Sequence, residues 1–250
     1  MRYFNTRRTV RRYTDAQVPE ELLSEMIAAA AQAPNTGNMQ LYSVVVTRTA
    51  EGKARLAPAH FNQPSATSSG SVLLTFCADF NRFEHWCKVG DASTGYDNFQ
   101  AFSWAVIDAS IFAQQFCAIA EMNGLGCCYL GTTTYNAPEI ARVLSLPSRV
   151  VPVTTIAVGY PVDDDTPMSD RLPLEAIMHK EVYRDFSDDD IRRIYALKES
   201  LDENRRFVAE NGKQTLAQVY TDVRYTREAN EHFSRLYLDF ITSCGFKLPE

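Results

Sequence analysis

Arg7-Arg8-Thr9-Val10-Arg11 places three guanidinium groups and a hydroxyl within five residues. Guanidinium forks match phosphate oxygens two at a time, and each hydrogen bond to a charged partner contributes about 1.5–3 kcal/mol. The pattern suits a small phosphate-bearing ligand held at the edge of a folded core. A solvated basic run, or an arm that touches nucleic acid, is the alternative. Asp15, Glu20, Glu21 and Glu25 follow at once and no apolar stretch succeeds the arginines. That pattern argues against an amphipathic transit segment and against a twin-arginine export signal, so residues 1–13 read as part of the fold.

The other residues able to do chemistry are more dispersed. Six cysteines, at 77, 87, 117, 127, 128 and 244, form no CxxC pair. Cys127 and Cys128 are adjacent, which suits neither a standard disulfide nor a zinc pattern. Four histidines (His60, His85, His179 and His232) show no ligand spacing, so no metal is expected. Free thiols imply a reducing, cytoplasmic setting. The net charge of −6 and pI of about 5.3 argue against nucleic acid as the main partner, since a groove that binds it needs a broad basic face. Ala101 to Ile119 is apolar but interrupted by Asp108, Gln114 and Gln115, so no membrane span is expected.

The elements that must position these groups follow from periodicity. With 250 residues, 45% of them hydrophobic, the chain can bury a substantial core. Glu20 to Ala33 has a helical repeat behind Pro19, and the polar loop Pro34-Asn35-Thr36-Gly37-Asn38 ends it. Strands are expected over Tyr42–Thr47, Ser71–Cys77, Cys127–Leu130 and Val150–Val158. Ala57 to Gly70 carries little periodic signal. Phe99 to Asn123 is a long helix, apolar on most of its circumference, and must be buried centrally or against another subunit. Gly124 and Gly126 end it, and Asn136 with Pro138 opens a short helix. After Pro161 the chain turns acidic at Asp163-Asp164-Asp165, and Ser187 to Phe246 reads as charged helices.

Several segments, in order, resemble the FMN-dependent nitroreductase family, in particular its NADPH-preferring flavin reductase-like branch. They are RRTVR, APNTGNMQ at 33–40, CADFNR at 77–82, GLGCCYLG at 124–131, LPSRVVPVTTIAVGYP at 146–161, DRLP at 170–173 and HKEVY at 179–183. Residues 5 to about 186 carry the resemblance. It implies an α/β (α+β) fold, with a central mixed sheet flanked by helices and the long apolar helix at a dimer interface. An FMN-binding domain over 1–186 is expected, and a helical extension over 187–250 belongs to the same unit.

The resemblance also implies a site. Arg7, Arg8, Thr9 and Arg11 meet the FMN phosphate and ribityl end, and Arg171 reaches the phosphate from afar. Asn35, Thr36 and Gly37 line the pyrimidine and ribityl side, with Gln63 at the place of a flavin-contacting glutamine. Tyr129, Leu130, Gly131 and Thr132 bring backbone toward N5 and O4 of the ring, where an N–H would stabilise developing charge. Ser169 departs from the family, which often carries lysine there, and Asp170 beside it adds a negative charge.

The expected activity is an NAD(P)H-dependent, ping-pong, two-electron reduction of nitroaromatics, quinones or flavins by a homodimer. No side chain is assigned as a catalytic acid, because the cofactor carries the chemistry. The donor is NADPH or NADH, the choice left open because Arg205, Arg206, Lys213, Arg224 and Arg227 read as solvated helix charges. The alternatives are a non-catalytic flavin-binding or storage protein, and reductive dehalogenation or flavin modification on the same scaffold.

Overall fold

The computed structural model describes residues 2–162 and 168–247. The acidic run Asp163-Asp164-Asp165 lies outside the described residues. The chain divides into two compact units, Met1–Thr166 with Phe233–Glu250, and Pro167–His232. In chain order the helices and strands are α1 (Arg2–Thr6), α2 (Glu20–Ala30), β1 (Tyr42–Thr47), α3 (Ala50–Leu56), α4 (Pro64–Thr67), β2 (Val72–Asp79), α5 (Asn81–Val89) and α6 (Phe99–Met122). They continue with β3 (Gly126–Leu130), α7 (Ala137–Leu144), β4 (Val150–Gly159), α8 (Asp188–Ser200), α9 (Asp202–Glu210), α10 (Leu216–Val219) and α11 (Arg227–Ser243).

The four strands form one sheet in the order β1-β2-β4-β3. Every ladder in it is antiparallel, where a mixed sheet was expected. The reason is topological. α6 joins β2 to β3 as a crossover, and those two strands run the same way, but β4 inserts between them and opposes both. β2 is central and buried along its whole length, which explains its almost wholly apolar sequence.

Side-chain alternation sorts the core into layers. Val72, Leu74, Phe76, Cys127, Ile156 and Val158 point to the face covered by α2 and α6, where Phe76 packs edge-on against Phe112. Leu73, Cys128, Leu130 and Ala157 point to the other face, with Leu56 of α3 and Ile140 of α7. The adjacent cysteines therefore lie on opposite faces of β3. A third cluster gathers Leu41, Phe80, Phe102 and Val151 around Phe246. It is fixed by the buried Arg149, whose guanidinium meets Glu84 at 2.5 Å, the Gly245 carbonyl at 2.7 Å and the Phe246 ring. The end of α11 thus belongs to the first unit.

Three local expectations change. α2 stops at Ala30 rather than Ala33. Asn136 precedes α7 without capping it, because its amide donates to the Ala59 carbonyl at 2.8 Å. The stretch 57–70, read as an irregular connection, follows α3 and includes α4, held by the Lys53 ammonium on the carbonyls of Ser68, Ser69 and Ser71 at 2.7–2.9 Å. Among the described residues, α6 is the one helix long and apolar enough to cross a membrane by length and composition alone.

Candidate functional site

The arginine segment is tied to the sheet at several points. The Val10 N–H donates to the Cys127 carbonyl on β3 at 3.1 Å, and Thr14 N–H to the Tyr160 carbonyl at 2.9 Å. The Tyr13 hydroxyl joins the Val10 and Ala157 carbonyls at 2.8 and 2.9 Å. Gly126 makes the approach possible, since a Cβ there would stand 2.5 Å from that of Val10. Burial raises the Tyr13 hydroxyl far above the usual phenol range, so it stays a neutral donor.

Once pinned, the arginines separate in role. Arg7 turns inward: its Nε lies 3.2 Å from Glu121 Oε1, and its Nη2 is 3.8 Å from Cys117 Sγ. Tyr3 donates to the same carboxylate. Arg11 is exposed and ion-pairs with no described residue, and its charge opposes the upward push that burial gives the Cys128 thiol. The Cys127 thiol donates to the Cys117 backbone carbonyl at 3.9 Å and the Cys117 thiol to Glu121 Oε1 at 3.6 Å; the interaction of the two thiols holds Cys117 below its ordinary value and Cys127 well above it.

At the exit of β3, Thr132 Oγ1 is the meeting point of His60 Nδ1 at 3.0 Å and Gln63 Nε2 at 3.4 Å. His60 is fully buried and its Nε2 has no partner among the described residues. If Gln63 donates to the Thr132 oxygen, the hydroxyl donates onward to Nδ1 and the His60 proton sits on Nε2. Burial lowers the His60 pKa to about 4, so the ring is neutral at pH 7. The Leu130 carbonyl accepts from the Thr133 N–H and hydroxyl. The N–H groups of Gly131 and Thr132 donate to no described residue. Tyr129 points away, its hydroxyl 3.3 Å from Gln114 Oε1.

The loop with Asn35, Thr36 and Gly37 is anchored elsewhere. Asp108 of α6 accepts from the Thr36 N–H and hydroxyl, both at 2.8 Å, and from Leu41 N–H at 3.3 Å. Asn35 Oδ1 accepts from Gln40 N–H, and Gly37 takes a left-handed φ of 55°. Asp108 and Glu121 are thirteen residues apart on one helix, about 20 Å along its axis. Within one chain, Arg8, Thr9, Arg11, Gln63 and residues 129–132 therefore gather at one edge, while residues 35–37 sit near the middle of α6. In the second unit, Arg171 donates to the Ser169 and Asp170 carbonyls, and Asp170 is paired with Lys198 at 3.0 Å. The negative charge that the sequence adds beside Arg171 is neutralised within that unit.

Sequence reasoning missed Glu121, Cys117, His60 and Asp108. A signal existed for two of them: Asp108 and Glu121 are the sole acids of an otherwise apolar helix, and a buried carboxylate requires a partner.

Comparison with known proteins gives a consistent result. The sequence model of the family described as "Nitroreductase family" matches residues 5–160. The chain is 30% identical over 255 residues to the FMN reductase [NAD(P)H] of Bacillus subtilis (strain 168), covering 97% of this chain and 96% of that protein. A Bacteroides fragilis NCTC 9343 crystal structure, titled only as an oxidoreductase, superposes with a TM-score of 0.95 at 48% identity over 98% and 99% of the two chains. B. megaterium NfrA2 gives a TM-score of 0.86 at 27% identity over 100% and 98%.

Proposed function

Because this chain belongs to the nitroreductase family, we propose that it is an FMN-containing, NAD(P)H-dependent oxidoreductase that reduces nitroaromatics, quinones or flavins. When bound, FMN supplies reversible two-electron chemistry between a nicotinamide donor and a small acceptor. The observation that carries the reading is the pair of uncommitted backbone N–H groups at Gly131 and Thr132, on the same edge as Arg8, Thr9 and Arg11. A Cβ on Gly131 would meet nothing within 4 Å, and its φ lies outside the left-handed range. The chain's own packing therefore does not require glycine there, whereas a flat ring lying against the backbone does.

Arg8, Thr9 and Arg11 hold the phosphate. Gln63 and the Gly131–Thr132 backbone face the ring, where fixed N–H dipoles stabilise charge without titrating. Thr132 contributes its backbone, since His60 and Gln63 occupy its hydroxyl. No side chain is assigned as a catalytic acid. Asn35, Thr36 and Gly37 act across a homodimer, lining the partner's ring, because they lie too far along α6 to reach the arginines of their own chain. The six unpaired cysteines suit a cytoplasmic setting.

The test is a visible spectrum of the purified protein, reconstituted with FMN, before and after anaerobic NADPH and then NADH. Flavin bands that bleach with donor and return with a nitroaromatic are expected. Bands that stay oxidised with both donors make it a flavin-storage protein, and an inability to bind FMN overturns the reading entirely.

A further inference from the structure

One group of reactive side chains has no part in that chemistry. Cys117 and Glu121 stand four residues apart, on one face of α6. Cys127 meets them from β3, and one ligand atom from each lies within 4.8 Å of the other two. Cys117 Sγ is 3.6 Å from Glu121 Oε1. In a tetrahedral zinc site, with sulfur at about 2.3 Å and oxygen at about 2.0 Å from the metal, such a pair is about 3.5 Å apart. Two sulfurs and one carboxylate are a soft donor set, wrong for calcium or magnesium and right for zinc or cadmium.

The triad already hosts a cation. The Arg7 guanidinium lies 3.2 Å from the Glu121 carboxylate and 3.8 Å from Cys117 Sγ. Both thiols are buried, and Arg7, at 24% side-chain exposure against 8% for Glu121, is the more exposed of the covering pair. We propose that Cys117, Glu121 and Cys127 bind one divalent cation of the zinc–cadmium class, and that Arg7 is the side chain that yields the site to it. The exchange balances: the cation replaces two thiol protons, which leave to solvent, and Arg7 moves out with its charge intact. Three protein ligands leave the fourth position to water. The site stands independently of the flavin reading.

The experiment is a Cd²⁺ titration of the full-length protein, read by the ultraviolet sulfur-to-cadmium charge-transfer band and by Cd²⁺ retained after gel filtration. One Cd²⁺ per chain is expected, displaced by excess Zn²⁺. Cys117→Ser and Cys127→Ser should each lose this binding, Cys87→Ser should keep it, and Arg7→Met should bind more tightly because the competing cation is gone. Cadmium NMR of the wild type keeps the idea testable if a serine variant fails to fold: a resonance in the mixed sulfur–oxygen range supports it, and one in the oxygen-only range refutes it. Absence of a charge-transfer band, or a band that survives both serine variants, also overturns the site. So does peptide mapping that finds Cys117 and Cys127 joined as a disulfide in the protein as purified.

Discussion

At the scale of single residues, the arginines of one motif have separated roles. Arg11 is exposed and ion-pairs with no described residue, so the proposed contacts to the phosphate are what its replacement would remove. Arg11→Ala should weaken FMN binding by about 1.5–3 kcal/mol, roughly tenfold to a hundredfold in Kd, with the apoprotein Tm unchanged. Arg7→Ala should instead lower the apoprotein Tm, because Glu121 is left buried with one cation fewer. Flavin-fluorescence titration and thermal unfolding separate the two; the same profile from both variants would sink the distinction. His60 gives a pH prediction. Its folded pKa of about 4 lies below the ordinary value of 6.5, so below pH 6.5 the unfolded chain takes up a proton that the folded chain refuses. Stability from this group is complete above 6.5 and is lost as pH falls toward 4, by up to about 3 kcal/mol. Denaturant unfolding of His60→Gln between pH 7 and 4.5 should show a shallower loss than the wild type.

At the scale of elements, the site depends on two attachments. The N-terminal segment reaches β3 only because Gly126 has no side chain. Gly126→Ala should cost about 1–3 kcal/mol by overpacking against Val10, and it should release FMN more readily because the arginines move with that segment. Normal flavin retention in a stably folded Gly126→Ala protein would detach the segment from the site. The loop 34–40 depends on Asp108, which satisfies three donors. Asp108→Ala strands those donors, each worth about 1–3 kcal/mol when buried and unmet, and hydrogen exchange should quicken at Thr36 and Leu41 before it does in the sheet. Protection unchanged at both amides would mean that other contacts hold the loop.

At the scale of the whole molecule, α6 is covered on one side and bare on the other. Ala105, Ala109, Phe112 and Phe116 are buried, whereas Ile107 is 54% exposed and Ile111 37%. Phe4, Ile111, Ala118 and Ile119 line one shallow cavity of about 540 Å³ on this side. An apolar stripe of this kind fits the proposed homodimer. Ile111→Glu should give a monomer in sedimentation and lose bound FMN together with the dimer. A variant that stays dimeric, or a wild type that sediments as a monomer, would remove the partner from the site.

What could be read from the sequence is what local patterning controls. β1 runs over Tyr42–Thr47 as the β-branched residues indicate, α6 begins at Phe99, and β3 and β4 begin or end within a residue of their expected bounds. The ordered segments pointed to the family. These signals lie within a few turns or strands of the chain, where side-chain period and capping set the outcome. The antiparallel order was not legible, because which strand enters beside which is settled by packing over a hundred residues. Nor was the inward turn of Arg7, since its partner Glu121 is 114 positions away. The return of residues 233–246 to the first unit rests on Arg149 and Phe246 meeting in space. Burial selects such contacts among segments that the chain brings together only when folded, and no local period records them.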